Sequence, residues 1–356
     1  MAGSAIKHDS DGWRPQLDGL RAIAVAMVLF THLWDTGSIA GSIGVRLFFV
    51  LSGFLITHML VDMRASDAAF STGPRAWRVF FTRRALRLWP AYYLLLAVIL
   101  IVNVQQVRDS GWWHVLYLSN VYFGFRQGFQ PWIVGPFWTL AIEQQFYLIW
   151  PFLMLIPRRR WLLPIAIGAI FAALAWHLAT DRFWPSHFGK YMLLPASIDA
   201  LGAGAALALA WRQGGVPRWL IVLTIASVPA IAALFVTGLT DWPLTMISLP
   251  PMMLAVALCH QGMGGPVGAL MSSRPLTAIG KVSYGVYLYH LFVMAALTRL
   301  AGTAGYALYP GPALFVAGGA ATLIVAALSW RFVEAPANRL KRHFRFGPPQ
   351  PAAVAA

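Results

Sequence analysis

The sequence predicts an all-α, polytopic integral membrane protein with about ten transmembrane helices and both termini cytoplasmic. Three observations lead there. Of the 356 residues, 59% are hydrophobic and only 11% are charged, whereas a soluble globular domain carries about 25% charged residues. Apolar runs of about twenty residues, long enough for a ~30 Å hydrocarbon core, recur from one end of the chain to the other. The 27 lysines and arginines cluster in alternate connections between those runs, as the positive-inside rule requires.

The runs fall at about 17–34, 43–62, 86–107, 137–156, 161–180, 191–211, 217–238, 242–260, 276–299 and 310–332. The first follows a polar stretch and lacks a small-residue cleavage site, so it reads as a retained helix rather than a signal peptide. With the N-terminus inside, twenty basic residues fall in cytoplasmic segments and five (Arg108, Arg126, Arg182, Lys190 and Arg299) in outer ones. An odd number of spans would scramble that asymmetry. The membrane domain therefore occupies 17–336, between a cytoplasmic tail at 1–16 and another at 337–356. The latter ends in FGPPQPAAVAA, a composition that favours disorder. The longest outer loop, about 108–136, is rich in aromatics, which suits an interfacial helix or a re-entrant segment. The net charge of +15 is explained by topology and by anionic membrane lipids, not by nucleic acid. Cys259 is the single cysteine, which excludes an intramolecular disulfide and a thiolate metal cluster. No metal site is expected.

Candidate chemistry lies in the exceptions to apolarity. Span 1 carries Arg21 and His32, eleven residues apart. On a helix they stand roughly 16 Å apart on nearly the same face. Ionisable residues at membrane depth are expensive and point to function. Counting about 1.5 Å per residue from the inner surface puts His32 at roughly 22 Å, Glu143 and His290 at roughly 21 Å, Asp199 at about 18 Å and Tyr287 at about 16 Å. Four protonatable groups on four spans thus reach one layer in the outer half. A histidine beside a carboxylate can take the proton of a hydroxyl, so His32 and Glu143 are the candidate catalytic pair. Trp138 and Tyr147 flank Glu143 within three turns, and Arg46 lies within span 2. Arg46, Trp138, Tyr147, Asp199, Tyr287 and His290 are the candidate acceptor-binding or supporting residues. At the inner mouth of span 3, Arg83, Arg84 and Arg87 precede Trp89-Pro90, a pattern suited to an anionic ligand. Anchoring to anionic lipid is the simpler alternative, but Arg21 has no topological reason to be embedded. In span 2, Gly41, Gly44 and Ser52-Gly53 suit close helix packing.

These stretches together resemble the membrane acyltransferase family 3, which includes sugar and peptidoglycan O-acetyltransferases and macrolide acyltransferases. The resemblance is carried by LDGLRA with Arg21 and His32, GVRLFFVLSGFLIT, RRALRLWPAYY, FWTLAIEQQFYLIWP, SYGVYLYH and WRFVEAP, in that order from 17 to 336. It implies transfer of an acyl group, commonly acetyl, from cytoplasmic acyl-CoA to a hydroxyl of a carbohydrate or glycolipid acceptor at a bacterial inner (plasma) membrane. His32 matches the family's essential histidine and Arg21 its paired arginine. Glu143 matches the acidic motif residue, and Arg83, Arg84 and Arg87 the basic motif. The donor's phosphates are then expected on Arg21 and the three motif arginines, with the pantetheine arm running toward His32. Many relatives carry an acidic residue where this chain has Arg46, which points to a different acceptor. Others carry a fused periplasmic hydrolase-like domain, so this chain is expected either to transfer directly or to use a separate periplasmic transferase. Two alternatives remain open at this point. One is a transporter or flippase for an acyl donor or glycolipid, which lacks support from any internal repeat. The other is a small, macrolide-like acceptor.

Overall fold

The computed structural model describes residues 14–66, 73–211, 215–239 and 241–344. The extreme N-terminus and the Pro/Ala-rich tail after Phe344 lie outside the described residues. Every described element is helical. Ten principal helices follow the ten apolar runs: α1 Pro15–Leu33, α2 Ala40–Ser66, α3 Pro74–Val102, α4 Phe137–Leu155, α5 Leu162–Phe183, α6 Ile198–Trp211, α7 Arg218–Thr237, α8 Trp242–Gln261, α9 Arg274–Thr303 and α10 Pro312–Ser329.

Among the described residues, eight of these are long and apolar enough to cross a membrane. The exceptions are α4 and α6. Helix α4 has the length, 19 residues, but its apolar run is broken by Glu143, Gln144 and Gln145. Helix α6 has 14 residues and spans only about 21 Å; two short 3₁₀ turns, Phe188–Tyr191 and Leu194–Ala196, lead into it. Each is held inside the bundle: Asp199–Ala208 of α6 is buried without a break, and Phe146, Tyr147 and Trp150 of α4 are buried too. In α7, by contrast, only Leu220 and Ser227 are buried. So extensive an exposed apolar face is expected where the solvent is lipid.

Local chemistry starts and stops the elements. Pro15, Pro74 and Pro312 sit in the first turns of their helices, where a missing N–H costs nothing. Asn103 leaves α3 in the left-handed conformation, φ 52°, the usual exit from a helix. The aromatic loop between α3 and α4 includes two short helices, Gly111–Val115 and Ser119–Arg126. They are fixed by buried His114, which bonds Ser110 at 3.0 Å and Ser119 at 2.8 Å, and by Asn120, which bonds Gln145 of α4. Beyond α10 the chain makes a π turn, Trp330–Glu334, then a short helix and a 3₁₀ turn that lie against α3.

Helix α2 is the spine. It forms an antiparallel pair with α1, whose backbone it approaches so closely that a Cβ on Gly44 would stand 2.5 Å from the Ala24 carbonyl. Its other side meets α6 through reciprocal glycines. A Cβ on Gly53 would stand 2.0 Å from the Leu201 carbonyl, and one on Gly204 would stand 2.0 Å from the Val50 carbonyl. Helices in lipid gain little from hydrophobic burial against one another, so such close packing holds them together. Replacing either Gly53 or Gly204 by alanine should destabilise the bundle by about 1–3 kcal/mol or more, seen as a lower thermal unfolding midpoint in detergent. Gly168→Ala, where the space is open, should leave the midpoint unchanged.

Candidate active site

Two cavities meet inside the bundle. The first, about 280 Å³, has Arg21 of α1 and Arg84 and Arg87 of α3 in its walls, together with Ser52, Glu143 and Tyr147. The second, about 870 Å³, lies toward the connections at the far ends of α1 and α2, and is lined by His32, Arg46, Trp138 and His177. Val45, Phe49 and Tyr287 line both. The partition between them is therefore about one side chain thick.

In the first cavity Arg21 is ion-paired with Asp18 one turn earlier, at 2.5 Å. Arg84 places its guanidinium over the Tyr147 ring, 5.7 Å from its centroid, a cation–π geometry. Arg87 is exposed. Deeper in, Ser52 Oγ donates to Glu143 Oε1 at 2.7 Å and lies 2.8 Å from Tyr147 Oη. A serine has one proton to give, so Tyr147 is the donor to Ser52 and the three groups form a one-way chain, Tyr147 to Ser52 to Glu143. Arg83 does not share this space. Its Nη1 donates to the Lys341 and Phe344 carbonyls at 3.1 and 2.8 Å, tying α3 to the C-terminal turn. That contact brings Lys341 into the electrostatic neighbourhood of Arg83, Arg84 and Arg87.

In the second cavity the hydrogen bonds assign both histidine tautomers. A carbonyl can only accept, so His290 Nδ1, 2.6 Å from the Tyr287 carbonyl, carries a proton. By the same rule His32 Nδ1, 3.0 Å from the Val28 carbonyl, carries one too. His290 Nε2 is then an acceptor and takes the His32 Nδ1–H, at 3.2 Å. What remains is His32 Nε2, with its lone pair available in a residue that lines the cavity. This differs from the expected pairing. The orienting partner of His32 is His290, not Glu143, because Glu143 faces the first cavity and is engaged by Ser52. Tyr287 is fixed between the two: its hydroxyl is 2.6 Å from Thr139 Oγ1, which in turn donates to the Pro136 carbonyl at 3.0 Å.

The profile of the family described as "Acyltransferase domain" matches residues 14–331. The chain belongs to this acyltransferase family. The peptidoglycan O-acetyltransferase OatA of Listeria monocytogenes is 31% identical over 365 residues, which cover 91% of this chain and 56% of that protein. YrhL of Bacillus subtilis, provisionally named a peptidoglycan O-acetyltransferase, is 30% identical across 90% of this chain and 54% of its own length. A provisionally named O-acetyltransferase of Staphylococcus aureus is 28% identical, with 93% and 58% covered. This chain spans little more than half the length of these relatives. No solved structure is significantly similar to it.

Within the acyltransferase bundle the remaining candidates form a pair of their own. Arg46 of α2 and Asp199 of α6 are joined by a short ion pair; Arg46 is 7% exposed and Asp199 0%. Arg46 lines the second cavity beside Trp138, whereas Asp199 supports it from behind. His177, whose ring stacks on Trp242 at 5.0 Å, lines the same cavity. The four groups expected in one layer therefore separate into a histidine pair, a carboxylate–serine pair and an arginine–aspartate pair. Sequence reasoning missed Ser52 as chemistry, along with Thr139, His177 and Lys341. Ser52 had a signal: it lies three and seven residues from Phe49 and Val45, on the same helical face. Removing one partner of a buried ion pair typically costs about 3–5 kcal/mol, whereas replacing both by apolar groups is far less damaging. Asp199→Leu should thus destabilise the acyltransferase strongly in a detergent unfolding assay, and the double variant Arg46→Met/Asp199→Leu should recover most of that loss.

Proposed function

We propose that this chain is an integral membrane O-acyltransferase that moves an acetyl group from cytoplasmic acyl-CoA to a hydroxyl of a carbohydrate or envelope glycan. The observation that carries the reading is the paired cavity, with cations in one half, a free imidazole nitrogen in the other and a thin partition between them. The basic asymmetry of the connections supports ten spans with both termini cytoplasmic in a bacterial inner membrane; on that topology the arginine-lined cavity faces the cytoplasm.

Phosphates of the donor suit Arg21, Arg84 and Arg87; guanidinium forks match phosphate oxygens well. The pantetheine arm then runs alongside α1 from Arg21 toward the partition, bringing the thioester to the depth of Ser52 and Tyr287. An acceptor suits the second cavity for two reasons. Its volume lies within the range of small-ligand sites, and Phe129, Trp132, Trp138 and Trp242 offer flat rings to the C–H faces of a sugar. The names of the relatives favour a glycan acceptor as well. There His32 Nε2 takes the proton of the attacking hydroxyl, while His290 holds the imidazole in the reactive tautomer.

If His32 is the base, His32→Ala should lower transfer by about 10²–10⁴-fold at unchanged protein level. This can be read by mass spectrometry of surface glycans and by CoA release from purified protein; a fully active alanine variant would sink the reading. The arginines supply a second test. Loss of a hydrogen bond to a charged group costs about 1.5–3 kcal/mol, so Arg87→Ala should raise the KM for acyl-CoA at least tenfold. Arg83→Ala, at a structural contact, should leave that KM nearly unchanged.

A further inference from the structure

Ser52 is adjacent to Gly53 in a helix that packs tightly, yet close packing accounts for only one of them. The geometry separates them. Gly53 is the residue pressed against the Leu201 carbonyl of α6, whereas Ser52, about 100° further round the helix, lines the arginine-bearing cavity. Its hydroxyl proton is already directed at the Glu143 carboxylate, and Tyr147 donates to its oxygen from the other side. A hydroxyl within hydrogen-bond reach of a carboxylate that is itself in place is the arrangement of an activated nucleophile and its base. Arg87, Arg84 and Arg21 lie within electrostatic range of that carboxylate.

Each cavity also has a candidate base of its own. Glu143 lines only the first and His32 only the second. A single direct displacement needs one base at the attacking hydroxyl and leaves Glu143, with its bonded serine, without a task. Two successive displacements need two.

We propose that Ser52 is a catalytic nucleophile that receives the acyl group as a covalent ester before the acceptor takes it. The proposal rests on the acyl-CoA reading of the first cavity. In the first half-reaction Ser52 Oγ attacks the thioester carbonyl carbon and its proton passes to Glu143. The C–O bond forms, the C–S bond breaks, and CoA departs as the thiolate in the field of Arg21, Arg84 and Arg87. In the second half-reaction the acceptor oxygen attacks the Ser52 ester from the other cavity, and its proton goes to His32 Nε2. The new ester forms, the Ser52–acyl bond breaks, and the Ser52 oxygen recovers its proton from Glu143. Tyr147, which donates to that oxygen at rest, supports it as the leaving group.

The test uses the full chain in lipid nanodiscs with radiolabelled acetyl-CoA and no acceptor, quenched in acid and mapped by peptide mass. The expected result is one acetyl increment on the peptide containing Ser52, with one equivalent of CoA released. Ser52→Ala should lose the label and the transfer activity while still binding CoA, which shows that the variant is folded. Ser52→Cys should carry the label as a thioester cleaved by neutral hydroxylamine. Glu143→Gln should slow labelling by about 10²-fold or more. Label found on His32 or Tyr287 instead would overturn the proposal, as would Ser52→Ala transferring acetyl to an acceptor at the wild-type rate. Those results would leave the donor reading intact. Failure of the wild-type chain to bind acetyl-CoA, or to release CoA with acceptor present, would overturn the donor reading and the serine step with it.

Discussion

A charge inside a bilayer must meet another charge, a hydrogen-bonding partner or water, and the arrangement of this bundle follows from that constraint. Arg21 meets Asp18, Arg46 meets Asp199, Glu143 meets Ser52, and His32 meets His290. Three of the four contacts cross between helices, so each fixes the rotation and height of one helix against another. Apolar contacts cannot do this so well in lipid, because the tails outside are as apolar as the side chains inside. The same groups that carry the proposed chemistry therefore also set the register of the elements that hold them.

Helix α2 shows how the two demands are met by one segment. Arg46 and Ser52 are six residues apart, about 9 Å along the helix. One joins the ion pair behind the larger cavity and the other faces the smaller one. Between them Phe49, with Val45, contributes to the partition. Gly44 and Gly53 take no part in the chemistry, but they let α1 and α6 approach closely enough for the polar contacts to form. Without that approach, the Asp199 carboxylate on α6 would not reach Arg46.

Much of this was legible in the sequence, because depth in a membrane can be counted along a helix. Counting placed His32 and His290 within about 1 Å of the same height, and their nitrogens are 3.2 Å apart. It placed Glu143 at that height too, but height says nothing about which cavity a side chain faces. That depends on helix rotation, which the contacts of neighbouring helices decide. Rotation alone could not have sorted the arginines. Arg83 and Arg84 stand four and three residues before Arg87, so each shares a face with it, yet only Arg84 and Arg87 line the cavity, because Arg83 is drawn to carbonyls of the C-terminal turn. Ten apolar runs also became ten helices. Yet α6 is too short and α4 too polar to read as spans by themselves; they persist because their neighbours bury them. Lys341 was beyond reach, because its place beside α3 depends on a turn more than 250 residues away in the chain.

The partition explains why an enzyme of this proposed kind would keep two cavities rather than one. A thioester or serine ester exposed to outside water would hydrolyse, and excluding water is among the main tasks of an enclosed site. Val45, Phe49 and Tyr287 separate the cavities by about one side chain, and Tyr287 is held in place through Thr139 and the Pro136 carbonyl. With a wall that thin, neither the polar, charged donor nor the acceptor needs to cross the membrane. In the proposed reaction only the acyl group passes from one side to the other, as a covalent bond exchanged at the wall. The proposed two-step transfer then calls for two bases, one on each side, since each alcohol must lose its proton in the cavity where it sits.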